Sequence, residues 1–329
     1  MIGTTLYLAA LCAGLEAPRA VAPGEFQAWF DAAREGTLVV PEDVARGARR
    51  FRYLFVAGFA HEQIPGYFAQ NIKDLRAVGV TKAAIHTIFP PSGETVEESA
   101  EAFRRQVFTI ASQGPEPLVI IAHSRGACDA LAFALTEPVF VRDHLAALFL
   151  VQGAFGGTAL ADFVVGEGHP IDEKMPEQYR TFTRVLGDVE RELVRRGIHA
   201  GLPGLTRAEA RAYWARMLRL HAAALPALGP RTFYVRTAIE PARLGRFRRA
   251  IGYYLTTYGG PNDGVVALDD QHLPGLGTSL GVIECGHGEL TSNVDNGPEA
   301  RKLRRALTPC LVMTVGRPAP PRVAAITAK

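Results

Sequence analysis

The sequence predicts an α/β fold, a mostly parallel sheet flanked by helices with a helical cap inserted over one edge. Three observations carry that reading. Beyond residue 50, short apolar runs alternate with longer helical patterns, the rhythm of a parallel sheet covered on both faces. One run passes with no intervening loop into a helix of small residues, and the interval 162–230 contains no strand pattern at all.

Taken in order, residues 1–50 form a helical lead-in whose amphipathic part spans 26–50. The apolar stretch 6–15 has no preceding Lys or Arg and no small-residue cleavage site, and it is too short to span a bilayer. It reads as a buried helix, which favours a cytoplasmic protein over an exported one. Strands are expected at 53–57, 83–88, 118–122, 146–151, 232–237 and 280–284, mostly continuous apolar runs as doubly covered strands require. Helices are expected at 65–78 and at 95–112, the latter opening on the capping box Thr95-x-x-Glu98. The core is thus 51–161 with 231–315, the cap 162–230 and the tail 316–329. Within the cap one helix is expected near 177–196, and a second starts at the box Thr206-x-x-Glu209. On the second, Ala210, Tyr213, Trp214, Met217 and Leu220 share one face, making Tyr213, Trp214 and Met217 candidates for lining a substrate pocket.

The chain has 329 residues, 48% hydrophobic and 21% charged, with 36 Lys+Arg against 33 Asp+Glu, a formal charge of +3. That is a globular composition, long enough to bury a core without disulfides or metals. The basic clusters at 46–52, 246–249 and 301–305 are scattered and broken by apolar residues, so no nucleic-acid groove is expected. Cys12, Cys128, Cys285 and Cys310 lie far apart with no paired spacing, which excludes a disulfide framework and a structural zinc site.

The chemistry concentrates at Ala122-His-Ser-Arg-Gly126, where the strand ends and the helix begins. This has the form of a nucleophile elbow with Ala in place of the first Gly. The sharp turn would expose the Ser124 hydroxyl at a helix N-terminus, where the Arg125 N–H can meet an oxyanion. Ordinary residue frequencies give roughly a few tenths of a chance match in such a chain, so the strand–turn–helix context does the discriminating. A serine nucleophile needs a histidine base and an acid to orient it, following in the order acid then base. Asp263, in Gly259-Gly-Pro-Asn-Asp-Gly, and His287, in Cys285-Gly-His-Gly-Glu, fill those places. The competitors are Asp269 and Asp270 for the acid and His61, His169 and His272 for the base, while Cys285 reads as packing. The second oxyanion donor is assigned to the Phe59 N–H, with Gly58 allowing close backbone approach. Arg125 follows the nucleophile directly, which suggests a guanidinium near the substrate and a preference for anionic esters.

Over roughly residues 50–295 these segments resemble the α/β-hydrolase superfamily, and within it the bacterial triacylglycerol lipases and esterases. The elbow resembles the Ala-His-Ser-x-Gly form of Bacillus-type lipases. Segment 149–162 is similar to their strand and Thr-Pro-His-x-Gly-Ser loop, Asn262-Asp-Gly-Val-Val with Leu273-Pro-Gly-Leu-Gly to their acid-bearing segment, and Gly286-His-Gly-Glu-Leu to their histidine loop. Two departures stand out: Ala57-Gly58 where many members carry His-Gly, and no Pro-His in the loop after residue 151. Pseudomonas- and Burkholderia-type lipases hold calcium near the histidine loop, but Asp269 and Asp270 do not reproduce a ligand pattern, so no metal is expected. The resemblance implies hydrolysis of small-molecule or lipid esters without a cofactor, and a transient lipid-surface contact is compatible with it. The same triad would serve an acyltransferase or amidase, and the same fold a binding protein without activity.

Overall fold

In the computed structural model the described residues are 15–166, 191, 194–293 and 297–317. Most of the expected cap helix 177–196 lies outside them, as do Cys12, His169, the leader up to residue 14 and the tail beyond 317.

The elements run α1 (Pro23–Arg34), α2 (Glu42–Ala48), β1 (Arg52–Val56), α3 (Ala69–Ala77), β2 (Ile85–Ile88), α4 (Val96–Ala111), β3 (Leu118–His123) and α5 (Arg125–Thr136). There follow α6 (Pro138–His144), β4 (Leu145–Val151), α7 (Ala159–Val164), α8 (Arg207–Leu220), β5 (Thr232–Ala238), α9 (Arg246–Gly259), β6 (Thr278–Glu284) and α10 (Pro298–Val315). The strands form one sheet in the order β2-β1-β3-β4-β5-β6, every pairing parallel.

Each expected strand is present within a residue or two. The reason they read as unbroken apolar runs is visible in their alternation. Leu54, Val56, Ile120, Ala122, Leu148 and Leu150 join the cluster on one face, packed on Phe103 and Val107 of α4 and Leu131 of α5. Tyr53, Phe55, Val119, Ile121, Phe149 and Val151 join the other, packed on Phe26 and Phe30 of α1 and Leu307 and Leu311 of α10. A register shift between Leu118 and Val119 puts Ala146 and Ala147 in succession on this second side. Burying a side chain such as Phe55 or Phe149 contributes about 1.5–3 kcal/mol.

The lead-in is two helices, because Gly36 takes a positive φ after α1 and Pro41 precedes α2. The helix expected at 65–78 starts at Ala69, since Gly66 and Phe68 both hold positive φ and turn the chain first. The Thr95 box forms in full, Thr95 and Glu98 each accepting the other's backbone N–H. At α8, Thr206 Oγ1 accepts the Glu209 N–H, and the Asp162 carboxylate accepts the Arg207 N–H at the positive end of the helix. Ala210, Trp214 and Met217 of α8 are buried, while Leu220, expected on the same face, is 65% exposed because the helix runs off its support there. Trp214 and Met217 belong to the same cluster as β1, β3 and β4, so this helix is seated on the core. No described helix is long and apolar enough to cross a membrane.

From β1 the chain passes outward to β2, and from β3 outward the other way to β4. The carboxyl ends of β1 and β3 therefore flank the point where the strand order reverses, the crevice in which such sheets bind ligands.

Candidate active site

Ser124 stands in that crevice with φ 56° and ψ −128°, strained for a residue with a Cβ. The strain follows from joining β3 to α5 with one residue. Gly126 is required because a Cβ there would lie 2.2 Å from the Ala57 carbonyl oxygen. Gly58 is required because a Cβ would lie 2.8 Å from Ser124 Cβ. Ala122 is fully buried, its methyl absorbed by one sheet face, so alanine is tolerated there.

The structure brings the three expected residues together. His287 Nε2 lies 2.9 Å from Ser124 Oγ, and His287 Nδ1 lies 2.8 Å from Asp263 Oδ2. The His287 N–H also donates to the Asp263 carbonyl at 2.7 Å, tying the two loops together. Asp263 is fully buried, and every partner of its carboxylate is a donor. Oδ1 accepts the Val265 and Val266 N–H groups; Oδ2 accepts from Thr237, Gln271 and Gln152 as well as His287. Facing such an acceptor, Nδ1 carries the imidazole proton and leaves the Nε2 lone pair to take the Ser124 hydroxyl proton. The histidine loop is held by Glu289, whose Oε2 accepts the Gly286 N–H at 2.9 Å, and by Arg248, which donates to the His287 carbonyl.

Phe59 follows Gly58 on the loop after β1, and Arg125 is the first residue of α5, where an N–H has no intrahelical acceptor. Neither N–H has a protein acceptor among the described residues. The Arg125 side chain corrects the expectation drawn from its position. It is buried, with Nη2 on Ser99 Oγ (2.9 Å) and Asp129 Oδ1 (3.3 Å) and Nη1 on the Pro91 carbonyl (2.5 Å). An i,i+4 acid and a polar pocket between α4 and α5 claim the guanidinium, which removes the argument for anionic esters.

The competitors lie elsewhere. Asp269 is exposed, and Asp270 is paired with Arg211. His61 Nδ1 sits 3.2 Å from the Gly58 carbonyl and His272 is half-buried beyond Gln271; neither has a hydrogen bond to Ser124. Burial drives the Cys285 thiol far above its ordinary pKa, which suits packing.

Tyr213 and Trp214 line a cavity of about 550 Å³ with Cys128, Ala154 and Leu205, and Trp214 packs edge-on against Phe155. Tyr213 and Met217 line a second cavity of about 360 Å³ beside Asp129. Neither is lined by Ser124 or His287.

Sequence reasoning missed Tyr67, His123, Gln152, Thr237 and Gln271, which surround the triad. His123, Gln152 and Thr237 left a faint signal, as polar residues at the carboxyl ends of expected strands; Tyr67 and Gln271 left none.

No family model and no curated protein matches this chain. The solved structures similar to it include the following two. A metagenomic carboxyl esterase is 19% identical, the match covering 81% of this chain and 76% of that one, with a TM-score of 0.57. The mature form of a Bacillus licheniformis lipase is 14% identical over 80% of this chain and 91% of that one, with a TM-score of 0.52. These likenesses, with the parallel sheet and the turn at Ser124, establish that the chain has the α/β-hydrolase fold.

Proposed function

We propose that this protein is a serine hydrolase of carboxylic esters, acting through Ser124, His287 and Asp263. The observation that carries the reading is the directional relay in which Asp263 fixes His287 and His287 faces the Ser124 hydroxyl at 2.9 Å. Ser124 Oγ attacks the acyl carbonyl as His287 Nε2 takes its proton, and the tetrahedral oxyanion is held by the Phe59 and Arg125 N–H groups. His287 then delivers that proton to the departing alcohol, leaving an acyl-enzyme. Water, deprotonated by the same nitrogen, releases the acid and restores the serine. Asp263 keeps its negative charge throughout and stabilises the imidazolium. Oxyanion donors of this kind are each worth about 10²–10³ in turnover.

The substrates we assign are small-molecule or lipid esters, in keeping with the carboxyl esterase and the lipase to which the chain is structurally similar. The segment 162–230 is assigned as a cap, on the grounds that α8 packs on the core beyond α5. A fluorophosphonate probe and a series of p-nitrophenyl esters test the reading. Wild type is expected to take the label on Ser124 and to hydrolyse esters; Ser124→Ala and His287→Ala are each expected to lose about 10⁶ in kcat. Folded wild type that takes no label and cleaves no ester would refute it.

A further inference from the structure

Tyr67, His123 and Gln152 form a continuous buried chain of hydrogen bonds joining the two loops that such a reaction needs held still. It begins at the Gly58 N–H, which donates to Tyr67 Oη at 3.1 Å. Tyr67 Oη lies 2.6 Å from His123 Nδ1, and His123 Nε2 lies 2.9 Å from Gln152 Oε1. The Gly288 N–H donates to the same Oε1 at 3.0 Å. On its other side, Gln152 Nε2 reaches Thr237 Oγ1 at 2.7 Å, the Gly286 carbonyl at 3.2 Å and Asp263 Oδ2 at 3.4 Å.

With His123 kept neutral by its burial, these contacts admit one assignment of hydrogens. The Thr237 hydroxyl donates to Asp263 Oδ2, so Thr237 Oγ1, the Gly286 carbonyl and the carboxylate all present lone pairs to the Gln152 NH₂. Turning that amide over would set its NH₂ against the Gly288 N–H, donor against donor. Oε1 therefore faces the Gly288 and His123 N–H groups, which makes His123 the neutral Nε2–H tautomer. Its Nδ1 lone pair accepts the Tyr67 hydroxyl, and Tyr67 Oη, its proton committed, accepts from Gly58. Burial holds His123 well below the ordinary histidine pKa, and its ring lies 4.9 Å from that of His287. A neutral ring there adds no charge to oppose an imidazolium on His287.

The geometry gives each member a task. Tyr67 Oη fixes the peptide one residue before the Phe59 N–H, support that Ala57 has no side chain to give. Gln152 brackets His287, holding the carbonyl before it and the N–H after it while sharing Asp263 Oδ2. Gln152 itself keeps a φ of +51°, a conformation a non-glycine residue retains only when its surroundings over-determine it. Resting on the ester-hydrolase reading, we propose that Tyr67, His123 and Gln152 are positioning residues that lock the oxyanion loop to the acid–base pair in one pre-set geometry. An oxyanion donor is effective because it need not reorganise as charge develops, and small misplacements are costly.

The test uses the full chain, p-nitrophenyl butyrate, the fluorophosphonate probe and imidazole ¹⁵N NMR. Tyr67→Phe removes one hydroxyl and frees the Gly58 peptide. It is expected to lower kcat about tenfold with KM within about twofold, because the loss falls on transition-state stabilisation. In wild type, His123 is expected to show the neutral Nε2–H signature throughout pH 5–8, a readout independent of activity and of any variant's folding. A Tyr67→Phe enzyme with unchanged kcat, or a His123 that titrates near 6.5 or carries its proton on Nδ1, overturns the positioning role. Wild type that neither labels nor hydrolyses overturns the ester-hydrolase reading itself and the role built on it; a labelled wild type matched by Tyr67→Phe overturns the positioning role alone.

Discussion

Asp263 and Asp129 are both buried carboxylates close to the elbow, and they are held in opposite ways. Asp263 is held by neutral donors from several parts of the chain: the N–H groups of Val265 and Val266, Thr237 on β5, Gln152 after β4, and Gln271. Asp129 leans on a cation four residues back on its own helix, Arg125, with Ser99 of α4 beside it, and its Oδ2 meets no donor among the described residues. Burial pushes the Asp129 carboxyl up to about 6 against the pull of Arg125. The difference separates two tasks. Neutral dipoles fix a carboxylate in place without cancelling the charge an imidazolium needs, whereas an arginine cancels that charge and yields a strut. Asp263 holds His287 Nδ1 at 2.8 Å, and Asp129 ties α5 to α4 through Ser99.

The largest effect that can break this contrast is on turnover. Asp263→Asn is expected to lower kcat about 10⁴-fold, because an amide reverses the hydrogen bond that sets the His287 tautomer. Steady-state ester hydrolysis checks it, and a loss under tenfold would make Asp263 another strut. Next comes stability. Asp129→Ala leaves Arg125 buried without its carboxylate and is expected to cost about 3–5 kcal/mol in urea unfolding, whereas removing both charges with Arg125→Met and Asp129→Leu recovers most of that loss. A double variant no better than the single one would show that the ion pair itself stabilises the fold.

The smallest effect sharpens the comparison through pH. His123, on the Asp263 side, has a folded pKa well below its unfolded value. Below about pH 6.5 the unfolded chain takes up a proton that the folded protein refuses, so this group costs stability as pH falls, by up to about 1.4 kcal/mol per unit. Asp129 has the opposite sign. Its folded pKa of about 6 exceeds the unfolded value of 3.8, so between those limits the folded state binds the extra proton and gains stability as pH falls. Unfolding free energies measured from pH 7 to 4 are expected to fall less steeply in His123→Asn than in wild type, and more steeply in Asp129→Asn. Parallel curves for wild type and both variants would remove the distinction.

The Arg125–Asp129 strut was legible in the sequence as an i,i+4 pair, yet the position of Arg125 beside the nucleophile pointed the reading at the substrate instead. No such spacing marks the environment of Asp263. Thr237 and Gln271 meet it only because β5 and the turn at 268–271 converge there. Tyr67 is unremarkable in sequence, and becomes informative only because its hydroxyl lands between Gly58 and His123. Leu220 fits the apolar face of α8 by spacing and is exposed, since periodicity reports what a helix could bury and says nothing of where its support ends.

By itself the sequence determined the strands, the one-residue turn at Ser124, and Asp263 and His287 as the residues that meet there. Doubly covered strands must be apolar throughout, and a one-residue turn from strand to helix needs small neighbours such as Gly126; both constraints act on residues close along the chain. Tertiary structure decided which donors surround Asp263, what became of the Arg125 guanidinium, and that Tyr67, His123 and Gln152 link one loop to the other. Those outcomes depend on groups that meet only after the sheet has brought the ends of β1, β3, β4 and β5 side by side, and local spacing carries no record of such meetings.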